Sequence, residues 1–337
     1  MSHSHAWNSF HRPRRLRRVD AIRRMVRETR LSVDNLIAPL FLVEGEGVKD
    51  PIGSMPGQFR MSIDVMVEHA AELAKLRIPG IALFPAVPDD LKDTVGTEGL
   101  NPEGLFPRAI RTLKAAQPDI LIVSDVALDP YSSDGHDGIV EGGVVLNDET
   151  LDVLGKMAVV QAQAGADIVA PSDMMDGRVG FLRNALDEAG FSHVSILSYT
   201  AKYASALYGP FRDALDSAPR KREGIPEDKQ TYQMDPANAQ EALREASLDQ
   251  LEGADMIMVK PAGMYLDVIH RLKSTADVPV AAYQVSGEYA MIHAAAEKGY
   301  LSLDSIAMES LIAIRRAGAD IILTYFAADV ARHLLNS

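Results

Sequence analysis

Eight short apolar runs, rich in Val, Ile and Leu, recur along the chain and predict eight strands. Their hydrophobicity is nearly continuous rather than alternating, which is typical of strands that are buried on both faces. Segments with helical spacing lie between them, and this alternation predicts parallel pairing through crossover connections. The predicted strands are 36–43, 81–87, 120–126, 168–171, 194–199, 256–259, 278–285 and 321–325. The clearest predicted helices are 64–76, 148–164, 239–251 and 302–316.

A Gly-Ala-Asp pattern precedes three of these strands, at 165–167, 253–255 and 318–320. In each copy the Gly can end the preceding helix in the left-handed conformation, and the Ala and Asp lead into a buried strand. Eight strand–helix units favour a (β/α)8 TIM barrel over a doubly wound sheet, and no Gly-x-Gly-x-x-Gly follows the first strand to indicate a dinucleotide fold. In a TIM barrel we expect the chemistry at the carboxyl ends of the strands.

Composition excludes several classes of site. The 337 residues are 47% hydrophobic and 24% charged, which suits a globular protein, and there is no Cys. Disulfides, thiolate zinc sites, iron–sulfur clusters and a Cys nucleophile are therefore excluded. No apolar run approaches the roughly 18 residues that a membrane span requires. We expect a cytoplasmic protein that does not bind a membrane.

The charge is unevenly distributed. The net charge is −13, but residues 1–30 contain nine Arg and two acidic residues, a local charge of +7 that leaves −20 for the remainder. We interpret residues 1–30 as an arm that lies on the acidic body of a neighbouring subunit. A nucleic-acid binder or scaffold is the alternative from another class, but the acidic body and the lack of aromatic residues in 12–28 disfavour it.

Two Lys residues lie at predicted strand ends. Lys260 follows four apolar residues and precedes a Pro, and Lys202 follows the fifth predicted strand. A Lys in such a place is partly desolvated, which lowers its pKa and yields the free amine that attacks a carbonyl. A salt bridge to a carboxylate is the alternative for either residue alone. Two Lys at one barrel face favour catalysis, because each cation lowers the pKa of the other.

Two loops supply further polar candidates. Segment 125–138 is rich in side chains that suit Mg2+ or another hard cation, although a solvated loop is an equal alternative. Its candidates are Asp125, Asp129, Asp134, His136 and Asp137. After the fourth predicted strand, Asp173 can accept a hydrogen bond from a substrate amine or orient a Lys, whereas Asp176 and Arg178 are interpreted as capping the next helix.

Segment 208–233 is dense in charge and interrupted by Pro and Gly, which is typical of an active-site lid, although a solvated surface loop is the alternative. Arg212 and Lys229 are its candidates for binding a substrate carboxylate. Ser286, beside a Gly after the seventh predicted strand, is a weak candidate. Tyr325 ends the eighth predicted strand.

Nine motifs in order, spread over nearly the whole chain, resemble the porphobilinogen synthase family, also called delta-aminolevulinic acid dehydratase. They are SMPG at 54–57, DVALDPYSSDGHDG at 125–138, VLND at 145–148, APSDMMDGR at 170–178, AKYASALYGPFRDA at 201–214, TYQMDPAN at 231–238, MIMVKPAGMYLD at 256–267, YQVSGEYAM at 283–291 and LTYFA at 323–327. The resemblance implies an N-terminal arm at 1–30, a catalytic barrel at 31–337 and a lid around 208–233. It also implies condensation of two 5-aminolevulinate molecules to porphobilinogen, with loss of two waters, in tetrapyrrole and haem biosynthesis.

The resemblance also implies roles for particular residues. Lys260 matches the Lys that forms a Schiff base with the substrate of the P site, and Lys202 matches the Lys that holds the substrate of the A site. Ser286 and Tyr325 match the groups on the P-site carboxylate, and Arg212 and Lys229 those on the A-site carboxylate. Asp125 and Asp173 are expected to serve the amino group and proton transfer.

One departure from the family pattern concerns metal. Zinc-dependent members carry three Cys in the third-strand loop, where this chain has Ala127, Asp129 and Asp137. The resemblance therefore implies a zinc-independent, magnesium-responsive enzyme without an organic cofactor. A stimulatory, allosteric Mg2+ is expected on Glu245 at a subunit contact, with water as most of its ligands. Asp129 and Asp137 either hold a catalytic cation or contact the A-site substrate.

The family further implies a homo-octamer whose arms embrace neighbouring subunits. The nearest alternative function is another Schiff-base lyase of the class I aldolase kind. Such an enzyme needs one imine-forming Lys, whereas this chain presents two, with separate carboxylate-binding groups for two substrates.

Overall fold

Eight parallel strands close into a barrel in the computed structural model, which describes residues 12–336. Each strand pairs with the next along the chain. The last strand returns to the first, with Leu36 opposite Ile322, and the predicted (β/α)8 fold is confirmed. The barrel strands β1–β8 are Leu36–Leu42, Gly80–Pro85, Leu121–Val126, Ile168–Pro171, Ser195–Lys202, Met256–Lys260, Val280–Gln284 and Ile321–Thr324.

Helices cover the barrel and pack against their neighbours around it. The helices α1–α11 are Asp20–Met25, Ile63–Lys75, Leu105–Ala116, Asn147–Ala164, Arg178–Glu188, Gly209–Leu215, Gln240–Leu251, Leu266–Lys273, Ser286–Glu297, Leu303–Ala317 and Ala327–Leu335. Two antiparallel hairpin strands, Ile139–Glu141 and Val144–Leu146, follow β3. Two short strands, Lys49–Pro51 and Phe59–Met61, extend the sheet beside β1.

The barrel strands are buried along nearly their whole length. Every residue of β1, β2, β4 and β7 is buried, which explains their continuous hydrophobicity. Aromatic side chains pack around the barrel core, and among the largest that are fully buried are Phe41, Phe84, Tyr199 and Tyr283. The carboxyl ends of these strands therefore rise from a solid apolar core rather than from a pore.

The repeated Gly-Ala-Asp pattern forms a clamp at the amino ends of three strands. Each Gly has positive φ, at 104°, 102° and 127° in chain order, as predicted for a helix end. The Asp backbone N–H then donates to a carbonyl of the preceding strand, and its carboxylate accepts from the N–H of that same residue. The pairs are Asp167 with Ile122, Asp255 with Ile196, and Asp320 with Val280. The repeat therefore stabilises the end of the barrel opposite the predicted chemistry.

Strand β5 differs from its prediction. It runs to Lys202 rather than ending at 199, because Ala201 pairs with Val259 and Lys202 with Lys260 on β6. Lys202 is thus a strand residue. Strand β7 ends at Gln284, one residue before its predicted end, and Ser286 opens α9.

Of the predicted arm, the structure describes residues 12–30. Residues Pro13–Arg17 form a 3-10 turn that precedes α1, and neither element has a buried residue. Residues 1–11 of the predicted arm, and residue 337, lie outside the described residues. In the predicted lid, α6 is followed by turns and bends. No helix within residues 12–336 is long and apolar enough to cross a membrane.

Candidate active site

Lys202 and Lys260 lie side by side at the carboxyl ends of β5 and β6. Their Cα atoms are paired in register, so the two side chains leave the barrel at the same level. Both are buried, with 5% and 6% of their surface exposed. The structure thus brings together the two amines that the sequence analysis selected, beneath a cover of loops.

Aromatic rings surround the amine of Lys260. Its Nζ lies 4.7–5.2 Å from the centroids of four rings, those of Tyr199, Tyr208, Phe211 and Tyr283. No carboxylate of residues 12–336 lies within ion-pair distance of it. Burial, and then the charge of Lys202, lower the pKa of Lys260 to about 7. A large fraction of this amine is therefore neutral and nucleophilic near neutral pH.

Lys202 has a different environment. Its Nζ contacts the backbone carbonyl of Ser172 and lies 3.5 Å from Asp137 Oδ1. The salt-bridge alternative of the sequence analysis thus holds for Lys202 and not for Lys260.

Asp137 and Asp129 are bridged by a third Lys. Lys229 Nζ lies 3.0 Å from Asp137 Oδ2 and 3.4 Å from Asp129 Oδ2. Burial by itself would raise the pKa of Asp137, but the ammonium groups of Lys202 and Lys229 hold it well below its usual range. Burial raises the pKa of Asp129, against the opposing charge of Lys229. The loop 125–138 is therefore folded into the site and is not a solvated loop.

Asp125 lies between these charges without a full set of partners. It is the penultimate residue of β3, and its Oδ1 makes no hydrogen bond to any described residue. Burial and then the neighbouring Asp129 raise its pKa to about 7, while Lys202 and Lys260 act in the opposite direction. Such a carboxyl can gain and lose a proton near neutral pH, which is what proton transfer requires.

Asp173 belongs to a separate buried network. Its Oδ1 accepts from the Met175 N–H at 2.7 Å, and its Oδ2 lies 3.7 Å from Arg178 Nε. Burial raises the pKa of Asp173 to about 6 against the charge of Arg178. Asp173 forms no ion pair with either barrel Lys, so its side chain orients the loop after β4 in this conformation.

Arg178 was interpreted as a helix cap, which is wrong. The side chain is buried, donates to Ser198 Oγ at 3.0 Å, and lies 3.7 Å from Asp249 Oδ2. A helix-opening Arg five residues after a strand-end Asp was the only signal of this network in the sequence. Its partners Ser198 and Asp249 are distant along the chain.

The start of the predicted lid docks on the first turn of α9. Ser286 Oγ accepts from the Phe211 N–H at 3.0 Å and donates to the Leu207 carbonyl at 3.4 Å. The Tyr208 hydroxyl donates to the Lys260 carbonyl at 3.1 Å. The side chain of Arg212 is half-buried and makes no hydrogen bond or ion pair with any residue of 12–336. Its guanidinium is thus available to an anion.

His136, for which no role in the lid was predicted, contacts the later part of that segment. His136 Nε2 lies 2.9 Å from the Pro226 carbonyl, and Nδ1 lies 3.0 Å from the Tyr232 hydroxyl. On the other side of the mouth, the Tyr325 and Tyr283 hydroxyls are 2.9 Å apart, so Tyr325 reaches the ring cluster around Lys260.

Glu245 lies apart from the amines, on α7. It lines a cavity of about 410 Å3 together with Asp176, Glu241 and Asn147. Burial raises the pKa of Glu245, and Asp249, Asp176 and Glu241 add repulsion against the charge of Arg178. Among residues 12–336 no group of three or more His, Asp or Glu side chains is arranged to hold a metal ion. A cation here would need water for most of its ligands.

The model of the family "Delta-aminolevulinic acid dehydratase" matches residues 10–333. The chain belongs to the delta-aminolevulinic acid dehydratase family. It is 57% identical over 325 residues to the chloroplastic delta-aminolevulinic acid dehydratase of Physcomitrium patens, covering 96% of this chain and 74% of that protein. It is 55% identical over 323 residues to that of Bradyrhizobium diazoefficiens, covering 96% and 90%.

A solved structure agrees with this membership. The chain resembles the crystal structure of delta-aminolevulinic acid dehydratase from Toxoplasma gondii in complex with the reaction product porphobilinogen. The TM-score is 0.94 at 50% identity, covering 97% of this chain and 92% of that one. The family predicted from the nine motifs is thus confirmed, as is the barrel fold. The roles of individual residues, the magnesium-responsive subtype and the octamer stay predictions.

Proposed function

We propose that this chain is a porphobilinogen synthase, a hydro-lyase that condenses two 5-aminolevulinate molecules to porphobilinogen and two waters. The product serves tetrapyrrole and haem biosynthesis. One observation carries the proposal beyond family membership: the carboxylate-free amine of Lys260 lies beside Lys202, within rings at the mouth of the barrel. A carbonyl substrate that entered this cluster would meet an amine that is about half neutral, and therefore nucleophilic, near pH 7.

In this proposal Lys260 forms a Schiff base with the keto group of the P-site substrate. The imine acts as an electron sink, so that carbon–carbon and carbon–nitrogen bonds can form and water can leave. Asp125 is suited to move protons, because its pKa is about 7 and it interacts electrostatically with both amines. Lys202, beside Asp137, holds the A-site substrate or forms a second imine with it.

Two pairs of groups serve the substrate carboxylates. Ser286 and Tyr325 are proposed for the P site, where the Ser286 hydroxyl at present joins α9 to the lid. Arg212 and Lys229 are proposed for the A site. Arg212 has no competing ion pair among the described residues, whereas Lys229 must exchange one of its carboxylate partners for the substrate. Asp173 is proposed to orient the loop that carries Ser172 and to act on the amino group only indirectly.

The proposed metal dependence follows from which carboxylates already have partners. Asp129 and Asp137 contact the ammonium groups of Lys229 and Lys202, which leaves little reason for a catalytic cation there. Glu245 has several like charges around it, so a divalent cation would relieve repulsion. We therefore propose Mg2+ at Glu245 with water ligands, zinc independence and no organic cofactor. Mg2+ bound there would act by stabilising the conformation of α7, away from the reacting atoms.

We also propose assembly into a homo-octamer through residues 1–30. The described part of this arm buries none of its side chains against its own barrel, and Met25 and Leu16 are exposed. Exposed apolar residues beside a cluster of Arg suit a contact with an acidic neighbour. Size-exclusion chromatography of a chain without residues 1–30 tests this, and an unchanged octamer would contradict the arm's role. A cytoplasmic location stays a prediction.

A colorimetric pyrrole assay with 5-aminolevulinate tests the proposed function directly. The wild-type chain should form a pyrrole, and Lys260→Met should lose this activity while its circular dichroism and unfolding midpoint stay close to those of the wild type. Lys114→Met is the matched control, since Lys114 lies at the amino end of the barrel beside Asp167. Conversion of 5-aminolevulinate without pyrrole formation would instead favour an aldolase-like lyase.

A further inference from the structure

A buried carboxylate that the proposed mechanism does not use lies on α9. Glu288 is the third residue of this helix, and only 6% of its surface is exposed. Its side chain turns back toward the helix start, as in a capping box. The groups that it reaches, however, come from two different strand-to-helix loops.

The Glu288 carboxylate accepts three backbone hydrogen bonds. Oε1 accepts from the Gly263 N–H at 2.6 Å, and Oε2 accepts from the Val285 N–H at 2.7 Å and from the Ala262 N–H at 3.4 Å. All three partners are donors. An ionised carboxylate, which only accepts, is the form that satisfies them, and a protonated carboxyl would turn a donor toward a donor.

These three amides belong to the two loops that carry proposed active-site residues. Ala262 and Gly263 follow Lys260, and Val285 directly precedes Ser286. The fit is close, because a Cβ on Gly263 would collide with Glu288 Oε1. Glu288 thus ties the end of β6 to the first turn of α9, on which the lid docks.

We infer that Glu288 is a positioning residue, which holds the amine of Lys260 and the hydroxyl of Ser286 in one fixed arrangement. The inference rests on the proposed function for its kinetic consequences, but the contact itself can be tested without turnover. A displacement of about 1 Å in such a site is expected to lower the rate by up to about 100-fold.

Burial makes this carboxylate costly to the folded state. It raises the pKa of Glu288 from its ordinary 4.5 to about 7, although the three backbone hydrogen bonds lower it. The folded protein therefore binds this proton more tightly than the unfolded chain does, and the associated stability is lost as the pH rises from 4.5 through 7. Tyr208 and Tyr265 are the titratable side chains that interact with Glu288, and both have raised pKa values and are neutral here. A group kept at the expense of stability suggests a functional role.

The test compares Glu288→Gln with three other variants at pH 8. Glu288→Gln removes the charge and turns an NH2 group toward an amide, so kcat should fall about 10-fold to 100-fold. Gly263→Ala keeps the charge but displaces the carboxylate, and it should lower kcat in the same way. Glu288→Asp should recover part of the loss. In the control, Asp255→Asn removes a carboxylate that accepts from the Ile196 N–H at the opposite end of the barrel, and it should lower the unfolding midpoint but leave kcat within twofold.

Measurements of the unfolding midpoint and of amide hydrogen exchange distinguish a positioning role of Glu288 from a merely structural one. The decline of the unfolding midpoint between pH 5 and pH 8 should be smaller in Glu288→Gln than in the wild type, although the raised pKa values of Asp125 and Asp173 still contribute to it. At pH 8 the midpoint of the variant should be no lower than that of the wild type. Its Ala262, Gly263 and Val285 amides should exchange hydrogen at least about 10-fold faster. If these amides exchange faster in Glu288→Gln but the wild-type chain forms no pyrrole, the result supports the Glu288 contact and rejects the proposed function. Unchanged exchange, unchanged kcat, or a kcat loss that follows the unfolded fraction would overturn the inference.

Discussion

The charge of Lys202 is one of the two causes that lower the pKa of Lys260, and removing it gives the sharpest quantitative prediction. The Lys202→Met variant keeps an unbranched side chain but no ammonium. Paired residues on neighbouring strands are about 4.8 Å apart, so we take the two amines as roughly 6 Å apart. At an effective dielectric constant of about 20, that separation corresponds to about 3 kcal/mol.

An interaction of this size equals about two pH units in the titration of Lys260. Asp137 remains in the variant, and its unbalanced negative charge acts in the same upward direction. The assay is the pH dependence of cyanoborohydride trapping of 5-aminolevulinate on Lys260, quantified by peptide mass spectrometry. The midpoint should lie near pH 7 in the wild type and roughly two pH units higher in the variant.

Lys114→Met controls for a general change in protein charge, and its midpoint should equal that of the wild type. The reasoning fails if the midpoint of Lys202→Met stays in place or falls. Either result would mean that burial among the rings alone sets the protonation of Lys260, or that the two amines do not face a common space.

Three further predictions concern pH, metal and the lid. Because only the neutral amine of Lys260 reacts, kcat/KM should fall about 10-fold per pH unit below pH 7; a flat profile down to pH 5.5 would contradict this. Glu245→Gln should raise the Mg2+ concentration needed for half-maximal stimulation of chelator-treated enzyme by more than about 10-fold. An unchanged Mg2+ response would show that Glu245 does not bind the Mg2+. His136→Ala removes the hydrogen bonds to Pro226 and Tyr232, each of which contributes about 1 kcal/mol. Limited proteolysis within 216–232 should therefore be about 10-fold faster in the variant. Unchanged cleavage would show that other contacts hold the lid.

The barrel was predictable because its signal is local. Continuous apolar runs between helical segments reveal strands buried on both faces, and Lys260 is conspicuous because a charge at the end of such a run is unusual. The Gly-Ala-Asp repeat likewise marks helix ends by its Gly residues. Its carboxylate clamp was not visible in the sequence, because the partner N–H belongs to another strand.

The unpredicted parts of the site depend on long-range contacts between loops. Asp137 lies 65 residues before Lys202, and nothing in the sequence pairs them before the barrel closes. In the sequence, His136 is one of several polar residues in a loop, and only the folded structure shows that the Pro226 carbonyl of the lid lies beside it. No role was predicted for Glu288, although it lies in one of the nine motifs. Its three partners are backbone amides, and because almost every residue type has a backbone N–H, the sequence does not mark them as partners.

The central claim is that Lys260 supplies the amine that binds substrate covalently. Borohydride reduction of the wild-type chain with 5-aminolevulinate, followed by peptide mapping, tests it most directly. The account predicts a mass increase on the peptide that carries Lys260, with any second adduct on Lys202. An adduct confined to other Lys residues, under conditions in which pyrrole forms, would contradict it.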